Sequence, residues 1–527
     1  MINKLKAQLD LRQDLQKYLF IRGFLITTKN ILDINTFPFY GNWNKEKVGN
    51  YFFLTHKLTK VYHYIKDELT FFLVGHSYNP FTMKYDEVEE LKDIADAYCE
   101  GKESFQKALD ELTGVFVIGW FSDKQFTFTT DPSGLQSAYY GIVEDDFMIT
   151  SHPQLTGDLY GLSMDPFVKK LINYKWYPRI LGAYLPCDLS PYKEIKRVVP
   201  NVYFTFSNNG ITSKRFYPLK ELSECINVQE YQDVIKQAAD ILKHNAELIS
   251  KKWKKPAISL TGGMDSTTTF AAANGFYDKY ETFSYVSAPK EIVDANAAKK
   301  ISDHFSVKHT LFEIPDDSYA LEDYEIKADI LDHNSGYISL RRGNELRKRI
   351  YLEKTVDFDV EAKSWGSETI RCRWHKHFER DSMPPLSGKL FRNIYKIFIS
   401  NRILANKIDR LFEKYIHDYE YTKIPAQYPA SDMFYAEIAL GSWGGPNVSE
   451  MKYYSDITIP CNNRMFFDLL FKIPVKQRIH DEHLLSIKEI LNKELYDMNI
   501  LVVNATKSKT KSKFFNLIFS INQKLPF

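Results

Sequence analysis

Between Tyr18 and Tyr217 the apolar residues come in short runs set off by turn residues: YLFIRGFLITT, NYFFLTHKL, LTFFLVGHSYN, GVFVIGWFSD, QFTFTTD and DDFMITS. Aromatic and β-branched residues grouped this way predict strands. Two stretches break the pattern, YDEVEELKDIADAYCEG and ESFQKALDELTG, each with apolar residues at helical spacing and a glycine stop. Together these predict an α+β sandwich.

After RFYPLKELSE the period changes. VQEYQDVIKQAADILKHNAELISKKW has helical spacing, PAISL is a short apolar strand, STTTFAAANG a helix, YETFSYVS a strand, IVDANAAKKISDHF a helix and KHTLFEI a strand. Strands alternating with helices predict a parallel sheet with crossover helices. From about Tyr319 onward the pattern is largely helical. The expected organisation is a first domain over 1–217 and a second over 218–527, with 375–425 as a basic, aromatic insertion in the second. The fold class is therefore α/β overall: an α+β sandwich followed by a parallel-sheet domain with a helical C-terminal part.

Composition narrows the function classes. Lys plus Arg total 69 against 67 for Asp plus Glu, so bulk charge gives no argument for nucleic acid or a membrane surface. Runs such as TFFLVG and FFNLIFSI fall far short of the roughly 20 residues that span a bilayer; they read as strands or core segments. The five cysteines (Cys99, Cys187, Cys225, Cys372 and Cys461) are scattered and odd in number, unlike a metal site or a disulfide framework. With a charged N-terminus that lacks an export core, the expectation is a cytoplasmic protein.

The chemistry centres on KPAISLTGGMDSTTTFAAANG, a strand that ends in two glycines and restarts as a helix. Gly262 and Gly263 let backbone N–H groups approach an anion, Thr261 and Ser266 add hydroxyls, and the helix start directs its positive end to the same spot. A phosphate or pyrophosphate suits such a turn. Asp265 would repel it unless a divalent cation lay between them, which implies Mg²⁺. A helix cap is the ordinary reading of Asp-Ser-Thr. The segment lacks both a Walker Lys-Ser/Thr and the third glycine of a dinucleotide fingerprint.

SLTGGMDS resembles the pyrophosphate-binding loop of ATP pyrophosphatases, in the version found in the asparagine synthetase family with its β-lactam synthetase and lasso-peptide cyclase relatives; Thr261 stands for the usual serine. VGHSYNPF, ELTGVFVIGWFSDKQFTFTTDPSGLQSAYYG and IKRVVPNVYFTFSNNG are similar to segments of that family's amino-terminal domain, and SWGSETIRCRWHKH to its Gly-Ser-Asp-Glu segment. The resemblance implies an Ntn-hydrolase-like sandwich followed by an adenine nucleotide alpha hydrolase-like, or PP-loop, domain.

By the same resemblance Thr261, Gly262, Gly263, Asp265 and Ser266 bind pyrophosphate, Asp265 and Glu368 bind Mg²⁺, and backbone near Leu260, Ser284 to Val286 and Ser364 to Gly366 lines the adenosine pocket. Trp365 stands where relatives carry a Glu or Tyr that helps deprotonate the attacking amine; an indole is no base. Lys507, then Lys509, are the choices for a lysine that stabilises charge as the acyl-adenylate forms and breaks. Arg371 binds pyrophosphate or pairs with Glu368. Gly75, Asn79, Asp131 and Gly134 serve turns. His309 and His375 read as structural. Pro460 and Asn463 stand near the family's P-x-x-D turn.

In asparagine synthetases a cysteine following Met1 hydrolyses glutamine; here Ile2 follows Met1 and the first cysteine is Cys99, so no glutaminase activity is expected. The implied activity is ATP-dependent adenylation of a small-molecule or peptide carboxylate and amide formation with ammonia or an amine, with a homodimer allowed by the resemblance and no nucleic acid or membrane span. The rivals are amidation of sugar acids for surface polysaccharides and a catalytically silent scaffold.

Overall fold

The computed structural model describes residues 2–339, 343–500 and 509–524. Twelve strands form the first half: β1 (Phe24–Thr27), β2 (Trp43–Val48), β3 (Tyr51–His56), β4 (Val61–Lys66), β5 (Leu69–Tyr78), β6 (Thr113–Phe121), β7 (Gln125–Thr130), β8 (Tyr139–Val143), β9 (Asp146–Thr150), β10 (Ile195–Arg197), β11 (Val202–Ser207) and β12 (Gly210–Arg215). They make two six-stranded sheets, ordered β10-β8-β9-β1-β3-β2 and β12-β11-β7-β6-β5-β4. The pairings are antiparallel, as the hairpin-like spacing of the strand runs requires.

The alternation of side chains along β6 shows how the layers stack. Val115 and Val117 face the sheet that contains β1, β3 and β9, while Phe116, Ile118 and Trp120 face Leu91, Ile94, Phe105 and Leu109 of the helices Glu87–Glu100 and Lys102–Asp110. Both faces are covered, so every residue of this strand is buried. Between the sheets the space is filled by rings. Phe147 stacks on Phe206 with centroids 4.3 Å apart, Tyr51 meets Phe126 edge-on at 4.6 Å, and Phe53 meets Phe72 at 5.5 Å. Such pairs add about 0.5–1.5 kcal/mol each beyond their buried area.

The second half opens with the helix Val228–Lys252, capped by the Asn227 side chain on the Glu230 amide, and continues as β13 (Pro256–Ser259), β14 (Glu281–Val286), β15 (His309–Glu313), β16 (Val360–Ala362) and β17 (Asp456–Thr458). The sheet is parallel, ordered β15-β14-β13-β16-β17. The chain winds outward from β13 to β15 and then returns to the other side for β16, so the loops after β13 and β16 diverge. A crevice at such a switch point is where open parallel sheets place ligands.

Several expectations shift in detail. The strand run near Tyr18 is a 3-10 turn, Gln13–Tyr18, with only Phe24–Thr27 paired. FFNLIFSI lies in the helix Lys509–Lys524. β2 carries exposed polar residues, while β4 is half-buried along its length with Ile65 exposed, so neither shows a clear apolar run. The three-residue β16 and β17 are too short for any periodicity. The 375–425 stretch holds the helices Gly388–Lys396 and Arg402–Asp418, which pack into the main core through Leu390, Phe391, Tyr395 and Phe412.

The two halves are joined by buried polar contacts. Arg215 at the end of β12 makes a two-pronged pair with Glu437 at 2.8 and 2.9 Å, with both side chains wholly buried. Asn462 donates to the Asp131 carboxylate at 2.7 Å, Arg464 donates to Asn201 at 2.8 Å, and Tyr78 and Thr458 share a hydroxyl contact at 2.9 Å.

Candidate functional site

The strand β13 buries Ala257 and Ile258, and its chain direction delivers residues 260–263 to the crevice. The turn is ordered by its own hydroxyls. The Thr261 and Ser266 hydroxyls lie 2.8 Å apart, the Ser266 hydroxyl accepts from the Thr261 amide at 3.1 Å, and the Gly263 amide donates to the Thr261 hydroxyl at 3.1 Å. The helix Met264–Ala272 begins at once, with Gly263 as its cap and Asp265 in its first turn. The Ser284 hydroxyl donates to the Leu260 carbonyl at 2.7 Å, which ties the turn to β14.

Above this turn lies a cavity of about 840 Å³. Its wall includes Leu260, Thr261, Gly263, Asp265, Ser266, Ser284, Tyr285, Ser364, Trp365 and Glu368. The structure thus gathers most of the residues singled out from the sequence. Gly262, Val286 and Gly366 stand outside the wall. The Gly262 amide donates toward the Asp294 carboxylate, Val286 accepts the Ile314 amide at 2.8 Å, and Gly366, at φ 91°, turns the chain into the short helix Ser367–Ile370. Lys507 lies outside the described residues. Lys509 opens the last helix, and its side chain also lies outside them.

The two acidic residues face the cavity with cationic partners. Asp265 accepts from the Ser367 hydroxyl at 2.6 Å and from Arg371 Nη1 at 2.7 and 2.6 Å. Arg371 uses its other edge on Asp481, at 2.8 and 2.7 Å. The alternative that Arg371 pairs with Glu368 is corrected here: Cys372 takes a left-handed conformation between the helices Ser367–Ile370 and Arg373–Phe378, which breaks the helical face shared by residues 368 and 371. Glu368 instead pairs with Arg373 and accepts from the Tyr435 hydroxyl at 2.6 Å.

Burial and the nearby Glu368 charge push the Asp265 carboxyl up, against the pull of Arg371. For Glu368 burial acts in the same direction, but Arg373 and the Tyr435 hydroxyl outweigh it and hold the carboxyl below its ordinary value. The two carboxylates therefore sense each other across the cavity while each is held by a different arginine.

The rest of the wall had no motif. Pro178, Leu181, Gly182 and Ala183 come from the first half of the chain. Their segment is held by Lys396, whose ammonium donates to the carbonyls of Ile180 and Gly182 at 2.9 and 2.7 Å and to that of Arg179. Ile180 and Leu181 both sit at φ 57°, an uncommon region for such side chains. Trp365 packs on Trp443 with centroids 5.1 Å apart, and the Lys363 ammonium lies over the Trp365 ring and pairs with Glu361 at 2.7 Å. Arg373 stood in plain view five residues beyond Glu368; Tyr435 and Asp481 gave no local signal.

Other candidates take structural roles. Asn79 accepts from the Phe81 amide at 2.8 Å, and Asp131 accepts from the Ser133, Leu135 and Gln136 amides. His309 bonds with Thr282, and His375 with the Arg380 carbonyl. Pro460 accepts from Asn245 at 2.8 Å, and Asn463 caps the helix Arg464–Phe471. No described helix is long and apolar enough to cross a membrane.

Residues 253–331, which hold β13, the glycine turn, β14, β15 and the intervening helices, match the asparagine synthase family. No curated protein matches the chain. Among solved structures, the glutamine phosphoribosylpyrophosphate amidotransferase from B. subtilis complexed with ADP and GMP shows 11% identity over 68% of this chain and 73% of that one, with a TM-score of 0.24. A structure described as the allosteric regulatory enzyme of purine biosynthesis shows 10% identity over 66% and 71%, also at 0.24. Likenesses this weak carry no argument. The family match falls on the segment that carries the glycine turn, and over residues 253–331 the chain is similar to the asparagine synthase family.

Proposed function

We propose that this chain is an ATP-dependent ligase that adenylates a carboxylate, releases pyrophosphate and passes the acyl group to ammonia or an amine. The observation that carries the reading is the 2.6 Å bond from Ser367 to Asp265, which joins the β13 turn to the segment bearing Glu368 across 102 residues of sequence. Adenylation replaces a poor leaving group with AMP, and fixing both reactants in one cavity lowers the entropic cost of their encounter.

The donor set fits Mg²⁺, which is commonly held by one or two carboxylates together with substrate phosphates rather than by an all-protein cage. Asp265 and Glu368 would hold it, and bound there it would offset the charge of the polyphosphate. Among the described residues no group of three or more His, Cys, Asp or Glu side chains forms a cage of its own. Arg371 is divided between Asp265 and Asp481, so it keeps a carboxylate partner if Asp265 turns to a cation. The turn amides and the Thr261 and Ser266 hydroxyls would receive the phosphates. Trp365 and Trp443 form an apolar wall that would exclude water from the acyl-adenylate.

We read the sandwich as without glutaminase chemistry. The space between its sheets is filled by rings such as Phe53, Phe72, Phe126 and Phe147. Cys99 lies exposed on an outer helix, and Cys187 is buried with its thiol pushed up by burial. The test of the whole reading is pyrophosphate release from Mg·ATP across a panel of carboxylates with ammonia or simple amines. Turnover that disappears in Asp265→Ala is the expected result. No ATP binding by the intact chain would sink it.

A further inference from the structure

The segment VGHSYNPF puts a histidine after Gly75, and no role above uses it. Gly75 sits at φ 106°, where an added Cβ would lie 2.3 Å from the Val115 carbonyl oxygen, so the backbone approach admits only glycine. His76 lines a second cavity, of about 500 Å³. It lies at the opposite end of the parallel sheet from the first: Asp359 precedes β16 and Asp456 begins β17, and both are in its wall. The first half supplies Arg22, Thr59, Lys60, Tyr62, His76 and Gln136, so this cavity too is built by both halves.

Its acidic groups have local partners. Both oxygens of Asp359 accept backbone amides, from Lys254 and Lys255 at 3.0 Å each. Asp86 caps the helix after it through the Val88 and Glu89 amides. Glu87 is paired with Lys252 at 2.6 Å. Asp456 accepts the Ile457 amide at 2.9 Å and lies 3.6 Å from His76 Nδ1. The basic and donor groups are less well satisfied. Lys452 is buried at 6% exposure and donates to the neutral Gln136 side chain at 2.7 Å. Arg22 Nε, the Thr59 hydroxyl and His76 Nε2 are buried without a partner, and His76 itself is 5% exposed. Arg22 is also held at φ 53°. A buried donor left unmet costs about 1–3 kcal/mol, and here several converge on one space.

Burial pushes the Asp456 carboxyl up, but His76, Lys452 and Arg22, in that order, together hold it down to about 2. The wall carries as many acidic as basic side chains, but Asp86, Glu87 and Asp359 are engaged by backbone amides and by Lys252, so Asp456 is the carboxylate left to Arg22 and Lys452. The remaining wall is apolar and aromatic, with Leu58, Tyr62 and Trp253; the Trp253 ring stands edge-on to His76 at 5.0 Å. We propose that this second cavity binds a small organic carboxylate, its anionic end on Arg22 and Lys452 and its carbon skeleton against Tyr62 and Trp253. No chemistry is implied, since the cavity is lined by neither cysteine nor serine. The proposal does not rest on the ligase reading. Lys452 directly follows Met451, which lines the first cavity.

The experiment is isothermal titration of the full chain with sodium benzoate, sodium glutarate and, as a separate arm, inorganic phosphate. Saturable binding of a carboxylate is expected, weakened at least tenfold in Arg22→Gln and in Lys452→Met and retained in Asp265→Ala, which disables the other cavity. If Lys452→Met fails to fold, Arg22→Gln decides, because its side chain is only half-buried. The proposal is overturned if neither carboxylate binds, if Arg22→Gln binds as the parent does, or if phosphate alone binds.

Discussion

Two arginine–carboxylate pairs in this molecule have nearly the same geometry and different surroundings. Arg215 and Glu437 meet at 2.8 and 2.9 Å with both side chains wholly buried. Both members have further buried partners: Glu437 accepts from Asn201 and Tyr421, while Arg215 donates to the carbonyls of Tyr217 and Tyr419. Arg371 and Asp265 meet at 2.6 and 2.7 Å, but Arg371 is shared with Asp481 and Asp265 faces a cavity. The first pair is a closed joint between the halves of the chain. The second keeps partners in reserve, which is what a site that must exchange one charge for another requires. The distance within a pair says little about its purpose; the neighbours that complete it say more.

The contrast can be broken by measurement. Glu437→Ala leaves a buried guanidinium uncompensated and should cost about 3–5 kcal/mol in urea unfolding; an unchanged midpoint would remove the idea of a closed joint. The next effect in size comes from pH. Burial depresses His56 to about 4 and His76, His152 and His483 to about 3. The unfolded chain binds these protons near pH 6.5 and the native chain does not, so stability is fully present above 6.5 and lost as pH falls toward 3. Each group should cost about 1 kcal/mol between pH 6.5 and 5.5. Three of the four lie in the first half, so His76→Gln together with His152→Gln should flatten the acid loss, and a melting temperature insensitive to pH across that range would contradict their buried neutral state.

Smaller effects belong to the open pair. Asp265→Ala should reduce pyrophosphate release at least a hundredfold, about 2.7 kcal/mol of barrier, while its melting temperature stays within a few degrees of the parent because Arg371 retains Asp481. Loss of fold in that variant would mean the pair is structural after all. Arg371→Lys keeps a charge but loses the fork that bridges two carboxylates. A loss of roughly tenfold, about 1.4 kcal/mol, is expected in turnover, and parental rates would show that the bridge is dispensable.

Legibility followed length and periodicity. The strands over 69–78, 113–121 and 125–130 were readable as aromatic and β-branched runs set between turn residues, and the helix over 228–252 from its repeat at period 3.6. β16 and β17 were not, since three residues hold no period, yet they form one side of the crevice. On the site, the glycine turn was readable because its hydroxyls and amides are local to one another. The partners of its carboxylate were only half visible, since Asp481 and Tyr435 lie far along the chain from Asp265 and Glu368.

The sequence by itself determined the order of the two layers, the glycine turn and the carboxylate within it, all consequences of residues adjacent in the chain. Tertiary structure alone decided which arginine answers which carboxylate. The left-handed turn at Cys372 splits a run that would otherwise put Arg371 beside Glu368. It also decided that the 178–183 segment and the buried ammonium of Lys396 complete the first cavity, and that Arg22, His76 and Lys452 meet in the second. Those groupings depend on packing across hundreds of residues, where no local spacing records which side chains will share a space.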